Sequence, residues 1–301
     1  MNGKPRRRKL DGVLLLDKPV GPSSSAALQA VKRLLNAEKA GHAGTLDPLA
    51  SGLLPLLFGE ATKFAQFGLD APKEYVADIR LGISTDTGDT EGTVLETRPV
   101  ALDDASLARV LAAFRGEISQ VPPMYSALKK DGQPLYALAR AGQTVEREPR
   151  RITIYELELV SRGEDLLRLR IRCSKGTYVR QLAADIGLAL GTVGHLQALR
   201  RTAVAGLRLD QSVSLDDLQA LGEEGRLAWL LPPDGLLESL PRVDLDTALA
   251  GRFQQGQAVR LVRPEGVAKG PCSVYQGGVL LGVGEGGEEG LLHPSRLIAR
   301  G

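Results

Sequence analysis

The hydrophobic pattern opens with the short unbroken run Gly12–Asp17 (GVLLLD), which predicts a buried strand ended by Lys18-Pro19 and a turn at Val20–Pro22. Ser23–Ser25 then offers helix caps, and Ala26, Ala27, Ala30, Val31, Leu34 and Leu35 recur at helical spacing. Glu74–Ser84 alternates as a strand does, with Gly92–Thr97 as an antiparallel partner across the acidic turn Asp86–Gly92. Leu107, Val110, Leu111 and Phe114 share one face of a helix over Leu102–Arg115. Ile152–Val160 and Leu166–Cys173 read as a strand pair around Ser161–Glu164. A further helix, Tyr178–Leu190, turns Leu182, Ala183, Ile186 and Leu190 to a core.

Strands joined by hairpins with helices between them indicate an α+β fold on a mixed, largely antiparallel sheet. Gln120–Pro149, rich in Pro, Gly, Lys and Arg, reads as an excursion from that core, and such loops often carry function. Pro and Gly cluster in Leu230–Pro241 and mark a boundary. The Gly-rich segment from Arg242 onward, with short apolar runs such as Gly278–Val283, predicts a small, mostly β domain.

Composition narrows the function classes. With 43% hydrophobic and 25% charged residues, the 301-residue chain is ordinary for a globular protein. No apolar run approaches the ~20 residues that cross a bilayer, and the run after the basic N-terminus is too short for a signal peptide. A cytoplasmic protein is therefore expected. The formal charge of +2 conceals basic clusters at the N-terminus, Lys129–Lys130, Arg147–Arg151 and Arg200–Arg201. Together these are compatible with RNA, since the arginine fork suits phosphate. Cys173 and Cys272 lie too far apart for a disulfide framework, so buried thiols are expected. His42, His195 and His293 show no metal-ligand spacing, and no metal or cofactor is expected.

Two segments are candidates for chemistry. In Gly41–Gly52 (GHAGTLDPLASG), Asp47 before Pro48 is a strong helix-start signal, and a carboxylate held rigidly there would equally suit catalysis; both readings stand. In Cys173–Arg180 (CSKGTYVR), at a strand-to-helix junction, the bland reading makes Thr177 a cap, Tyr178 a core aromatic and Arg180 a solvated charge. Gly282-x-Gly284-x-x-Gly287 matches a dinucleotide fingerprint by letter only. No amphipathic helix follows it, so it is read as a glycine-rich turn.

These segments together resemble the bacterial tRNA pseudouridine synthase family known as TruB. The resemblance is carried by LLLDKPVGPSS at 14–24, GHAGTLDPLASGLLPLLFGEATKF at 41–64, KEY at 73–75, STDTGDTEG at 84–92, VPPMYSALKKDGQPLYALAR at 121–140 and CSKGTYVRQLAADIG at 173–187. It implies a pseudouridine synthase catalytic domain over residues 1–235, with 120–150 as an RNA-binding insertion, and a small PUA-like RNA-binding β domain over 240–301. It further implies that Asp47 is the essential aspartate, that Tyr75 stacks on the target uracil and that Arg180 pairs with the aspartate. Tyr178 and Leu199 would line the base pocket, and His42 would fill the space vacated by a flipped nucleotide.

The implied chemistry fits these residue types. Turning uridine 55 of the tRNA T-loop into pseudouridine breaks N1–C1′, turns the uracil and joins C5 to C1′, without redox change. A carboxylate at the sugar–base junction, acting as nucleophile or proton acceptor, is sufficient. With 4% aromatics, one flipped base suits the chain better than a multi-base stacking platform. The expected partner is the tRNA T-arm, bound by a stand-alone monomer with no membrane association. An RNA-binding or tRNA-folding module, and a synthase of the same chemistry acting on another RNA, are the competing readings.

Overall fold

The apolar run near the N-terminus becomes strand β1 (Gly12–Lys18), which has a core on each face. Leu14 and Leu16 enter one core and Val13 and Leu15 the other, so the run is continuous rather than alternating. Helix α1 (Ser24–Leu34) is capped by Ser23, whose hydroxyl accepts from the Ala26 N–H at 3.2 Å. Its Ala27, Leu28 and Val31 cover the Leu14–Leu16 face. β2 (Ala40–His42) and β3 (Ala50–Phe58) follow, and β3 pairs antiparallel along the whole of β1. Asp47 therefore caps no helix. Pro48 and Leu49 form a turn, and the apolar run after them is a strand because its backbone is wanted by β1 on one side and by residues 199–201 on the other.

A 3₁₀ turn (Gly59–Phe64) and helix α2 (Ala65–Asp70) lead to β4 (Lys73–Leu81). Next come β5 (Ile83–Thr85), β6 (Val94–Thr97), α3 (Asp104–Ala113) and β7 (Gly116–Gln120). The insertion holds β8 (Lys129–Lys130), β9 (Gln133–Pro134) and α4 (Leu135–Arg140). β10 (Arg150–Arg162), β11 (Leu166–Cys173), α5 (Val179–Ala189) and β12 (Gly194–Val204) follow. This computed structural model describes residues 7–126, 128–130, 132–261 and 269–299. Residues 1–6 of the basic N-terminal run, and Ala127 and Asp131 of the insertion, lie outside them.

The main sheet runs in the order β1-β3-β12-β4-β11-β10-β7, with Val213–Ser214 beyond β1. Only β3–β12 and the Val213–Ser214 pairing with β1 are parallel along this path, so the sheet is mixed and largely antiparallel. The expected partnership of Glu74–Ser84 with Gly92–Thr97 is corrected: β6 pairs with the short β5, while β4 lies between β11 and β12. β4 takes the centre because Ala77, Ile79 and Leu81 drop from it into the core that α3 and α5 cover. On the opposite face, Arg168, Arg170 and Arg172 of β11 pair with Asp78, Glu158 and Glu156. Such exposed pairs contribute only ~0–1 kcal/mol each, but they neutralise that face.

A second sheet is formed by Arg242–Asp244, Gly270–Gln276, Val279–Gly286, Leu291–Leu297 and Val259–Arg260, around Val243, Phe253, Val274, Leu281 and Leu292. Gly282-x-Gly284-x-x-Gly287 runs along one of its strands into a 3₁₀ turn, in place of a helix N-terminus. This sheet meets the first through Phe64, Leu237, Tyr275, Leu280 and Val283. The Lys63 ammonium donates to the Leu297 carbonyl at 2.8 Å, and the Tyr275 hydroxyl to Asp234 at 2.6 Å.

Among the glycines in the strands of the main sheet, Gly52 of β3 leaves the least room for a side chain. Its φ is +102°, and a Cβ there would lie 2.3 Å from the Arg201 carbonyl oxygen and 2.7 Å from the Arg201 nitrogen. Gly116 also has positive φ, but nothing lies within 4 Å of its would-be Cβ. Gly52→Ala is expected to cost ~2–4 kcal/mol and Gly116→Ala ~1–2 kcal/mol in denaturant unfolding. Equal losses at the two sites would show that the β3–β12 approach is not what demands glycine.

Candidate functional site

Asp47 lies on the loop between β2 and β3, and that loop is held from behind by the start of α1. The buried Ser24 hydroxyl accepts from the Leu46 N–H at 2.7 Å and donates to the Leu46 carbonyl at 2.9 Å. Gly21 N–H donates to the Pro48 carbonyl at 2.8 Å. The backbone on either side of Asp47 is thus fixed by residues of the PVGPSS turn, while its carboxylate is 42% exposed. Lys18, fully buried, donates to the carbonyls of Pro19 and Pro22 at 2.8 Å and holds that turn. Burial pushes the Lys18 ammonium below its usual pKa, and the nearby Asp47 charge partly opposes this.

Arg180, in the first turn of α5, comes to the same place from 133 positions along the chain. It is no solvated charge, since its side chain is only 9% exposed. Nη2 lies 3.0 Å from Asp47 Oδ2 and donates to the Tyr125 carbonyl at 2.8 Å. Nη1 donates to the Thr87 carbonyl at 3.0 Å and lies 3.6 Å from Asp89 Oδ2. Asp89, 3% exposed, is itself fixed by the Thr87 hydroxyl at 2.6 Å and the Glu91 N–H at 3.0 Å. A buried guanidinium left without a counter-ion would be costly. The sealed Asp89 supplies one, so Asp47 can pair with Arg180 and still face solvent.

Tyr75 on β4 and Leu199 on β12 each pack against both the core under α1 and the core under α3 and α5, so they mark the seam between those two. Burial raises the pKa of the Tyr75 phenol, against an opposing effect of Arg201. Tyr178 is held at its backbone by the buried Gln120 side chain, which accepts from its N–H at 2.9 Å and donates to its carbonyl at 3.2 Å. Burial raises the Tyr178 phenol too. Thr177 does not cap α5: its hydroxyl donates to the Ser174 carbonyl at 3.0 Å, and Tyr178 occupies the cap position with no side-chain cap bond.

Asp47, Tyr75, Tyr178, Arg180 and Leu199 thus line one cleft of ≈ 620 Å³, together with Thr87, Asp89, Tyr125 and Ser126. His42 is not among its lining residues. It sits on β2 opposite Leu56, with a buried Nδ1 that has no hydrogen-bond partner. Burial, then the Arg201 charge, pushes its pKa down, which favours the neutral imidazole. The basic pair at 200–201 is not a surface patch: Arg200 pairs with Asp17 at 2.7 Å and Arg201 is buried. Cys173 and Cys272 are both buried and free. Among the described residues no His, Cys, Asp and Glu group is arranged to hold a metal ion.

Ser24, Asp89 and Gln120 were missed in the sequence. Asp89 had a signal, in that STDTGDTEG is too rich in Thr and Asp for a plain hairpin turn. Ser24 and Gln120 had none, because their partners are backbone groups distant in sequence. The assembled cleft offers a half-exposed carboxylate beside aromatic and apolar surface, with a buried cation behind it. That combination suits a planar base attached to a sugar.

The family described as TruB family pseudouridylate synthase (N terminal domain) matches residues 32–179. The tRNA pseudouridylate synthase B C-terminal domain matches residues 180–238, and Pseudouridine synthase II TruB, C-terminal, matches residues 241–298. The chain is 57% identical to a Burkholderia pseudomallei protein named tRNA pseudouridine synthase B, over 98% of this chain and 96% of that one. It is 55% identical to a protein of the same name from Aromatoleum aromaticum, over 98% and 94%. Among solved structures it is similar to one described as a Cbf5-Nop10-Gar1 complex, with a TM-score of 0.71, 29% identity and coverage of 91% of this chain and 78% of that chain. It is also similar to one described as an H/ACA RNP bound to a substrate RNA containing 2′-deoxyuridine, with a TM-score of 0.74, 25% identity and coverage of 96% and 85%. The chain belongs to the TruB family of pseudouridylate synthases.

Proposed function

We propose that this protein is a tRNA pseudouridine synthase that isomerises uridine 55 of the T-loop, with Asp47 as its catalytic carboxylate. The observation that carries the reading is the 3.0 Å pairing of a half-exposed Asp47 with a buried Arg180 in a cleft that also holds Tyr75, Tyr178 and Leu199. The reaction breaks N1–C1′ and forms C5–C1′, and the C5 proton is lost to solvent while N1 gains one. Whether the carboxylate attacks C1′ or takes a proton from the ribose, it must stand at the sugar while the base lies against the cleft wall.

The uracil reaches that position by leaving its stack, which costs a few kcal/mol and least where the base lies outside regular duplex, as in a tRNA loop. Packing against Tyr75 returns ~1–3 kcal/mol of this, and His42, outside the cleft, supports the gap left in the RNA. Leu199 and Tyr178 bound the base. Arginine and lysine contacts to phosphate hold the T-arm without reading its sequence. Residues 1–235 form the catalytic unit, with 120–150 as an RNA-binding insertion, and residues 240–301 a small PUA-like RNA-binding unit. The protein acts in the cytoplasm as a monomer.

Asp47→Asn and Asp47→Ala are expected to abolish tritium release from tRNA labelled at uracil C5 while keeping RNA affinity within a few-fold. Full release by either variant removes the mechanism. Binding without any release by the native protein would make it an RNA-binding module instead, and release only from another RNA would move the substrate. Tyr75→Leu should lower kcat/KM by ~5- to 150-fold, the rate equivalent of the lost stacking. An unchanged value would remove Tyr75 from the base.

A further inference from the structure

Arg201 heads the fully buried side chains by size, at 1% exposure. None of the ion pairs among the described residues includes it, and no carboxylate figures among the groups that act on its charge. A guanidinium in that position is tolerated only if its N–H groups are well used. They are turned on backbone: Nε donates to the Leu53 carbonyl at 2.7 Å, Nη1 to that of Thr45 at 3.3 Å and Nη2 to that of Gly44 at 3.2 Å. Gly44 and Thr45 belong to the loop that carries Asp47, and Leu53 to the strand that the loop enters. On β12, Arg201 lies directly opposite Tyr75 of β4, and its guanidinium also interacts with the Tyr75 phenol.

Two glycines lie against this residue. The backbone of Arg201 presses on Gly52, and a Cβ at Gly44 (φ +118°) would lie 3.4 Å from Nη1. A well-packed apolar side chain would fill the same volume with no charge to desolvate, and such replacements are often neutral or stabilising. Core packing alone therefore does not account for a cation here.

We propose that Arg201 is a positioning residue, a planar fork that fixes the Asp47 loop and the Tyr75 side chain relative to each other beneath the cleft. This rests on the isomerase reading above. Arg201 does not line the cleft, so it acts only through the groups it holds. Its N–H groups share one rigid plane, which gives the carboxylate loop and the aromatic wall a common frame. Slack between them matters, because a misplacement of about 1 Å can cost on the order of 100-fold in rate. Lysine would keep the charge but not the fork.

The test compares Arg201→Met and Arg201→Lys with the native protein and Asp47→Asn. The substrate is a full tRNA transcript tritiated at uracil C5, and both binding stoichiometry and single-turnover release are measured. Arg201→Met is expected to bind RNA with native affinity and to lose about 100-fold in release rate per bound complex, with Arg201→Lys between it and native. A purely structural loss would lower the fraction of protein that binds and leave the rate per bound complex unchanged; that result overturns the proposal. If Arg201→Met does not fold, Arg201→Lys decides, and either a native rate per bound complex or its own failure to fold overturns the proposal. Failure of the isomerase reading would look different: the native protein would release no tritium, or Asp47→Asn would release it fully.

Discussion

The cleft depends on a cation taken out of water. Arg180 is sealed at the first turn of α5, and everything around it balances that charge: Asp89 from one side, two backbone carbonyls, and Asp47 from the cleft. With one partner, the guanidinium would have to choose between a buried ion pair and an exposed one. With two, the sealed carboxylate meets the cost of burial, and the exposed one is oriented without being enclosed. The order of the strands serves this arrangement. β3 brings the Asp47 loop, β12 and β4 bring Leu199 and Tyr75 beside it, and α5 lies across β12 with Arg180 at its first turn.

Much of the frame was legible in the sequence, and the exceptions have physical reasons. β1, α1, α3, α5 and the β10–β11 pair announce themselves because each buries a continuous run or one regular stripe. β3 and β12 were not read as strands, although they are central. β3 carries Pro55, which is tolerated because it falls between the residues that pair with β12 and those that pair with β2. β12 carries two adjacent arginines, one of which is buried against backbone carbonyls, a state that no hydropathy pattern reveals.

The site was legible in a different way. Asp47, Tyr75, Tyr178, Arg180 and Leu199 were named through the family resemblance, and the fold brings them into one cleft. Local pattern left a helix cap at Asp47 standing beside a catalytic carboxylate and made Arg180 a solvated charge; the cap and the solvated charge fail because they ignore partners far away in sequence. Ser24 and Gln120 stayed hidden for the same reason: their roles consist of bonds to backbone groups, which are set by topology rather than by spacing. Asp89 differs, held by its near neighbours Thr87 and Glu91 in a Thr- and Asp-rich turn.

One detail of the Arg180 contacts reaches beyond the cleft. The same nitrogen, Nη2, serves the Asp47 carboxylate and the carbonyl of Tyr125, and Tyr125 stands at the root of the 120–150 excursion. The segment that carries the carboxylate and the segment at the rim therefore converge on a single guanidinium nitrogen. Under the proposed function, movement of the rim would shift that guanidinium, and the grip on RNA would be mechanically linked to the electrostatics at the sugar.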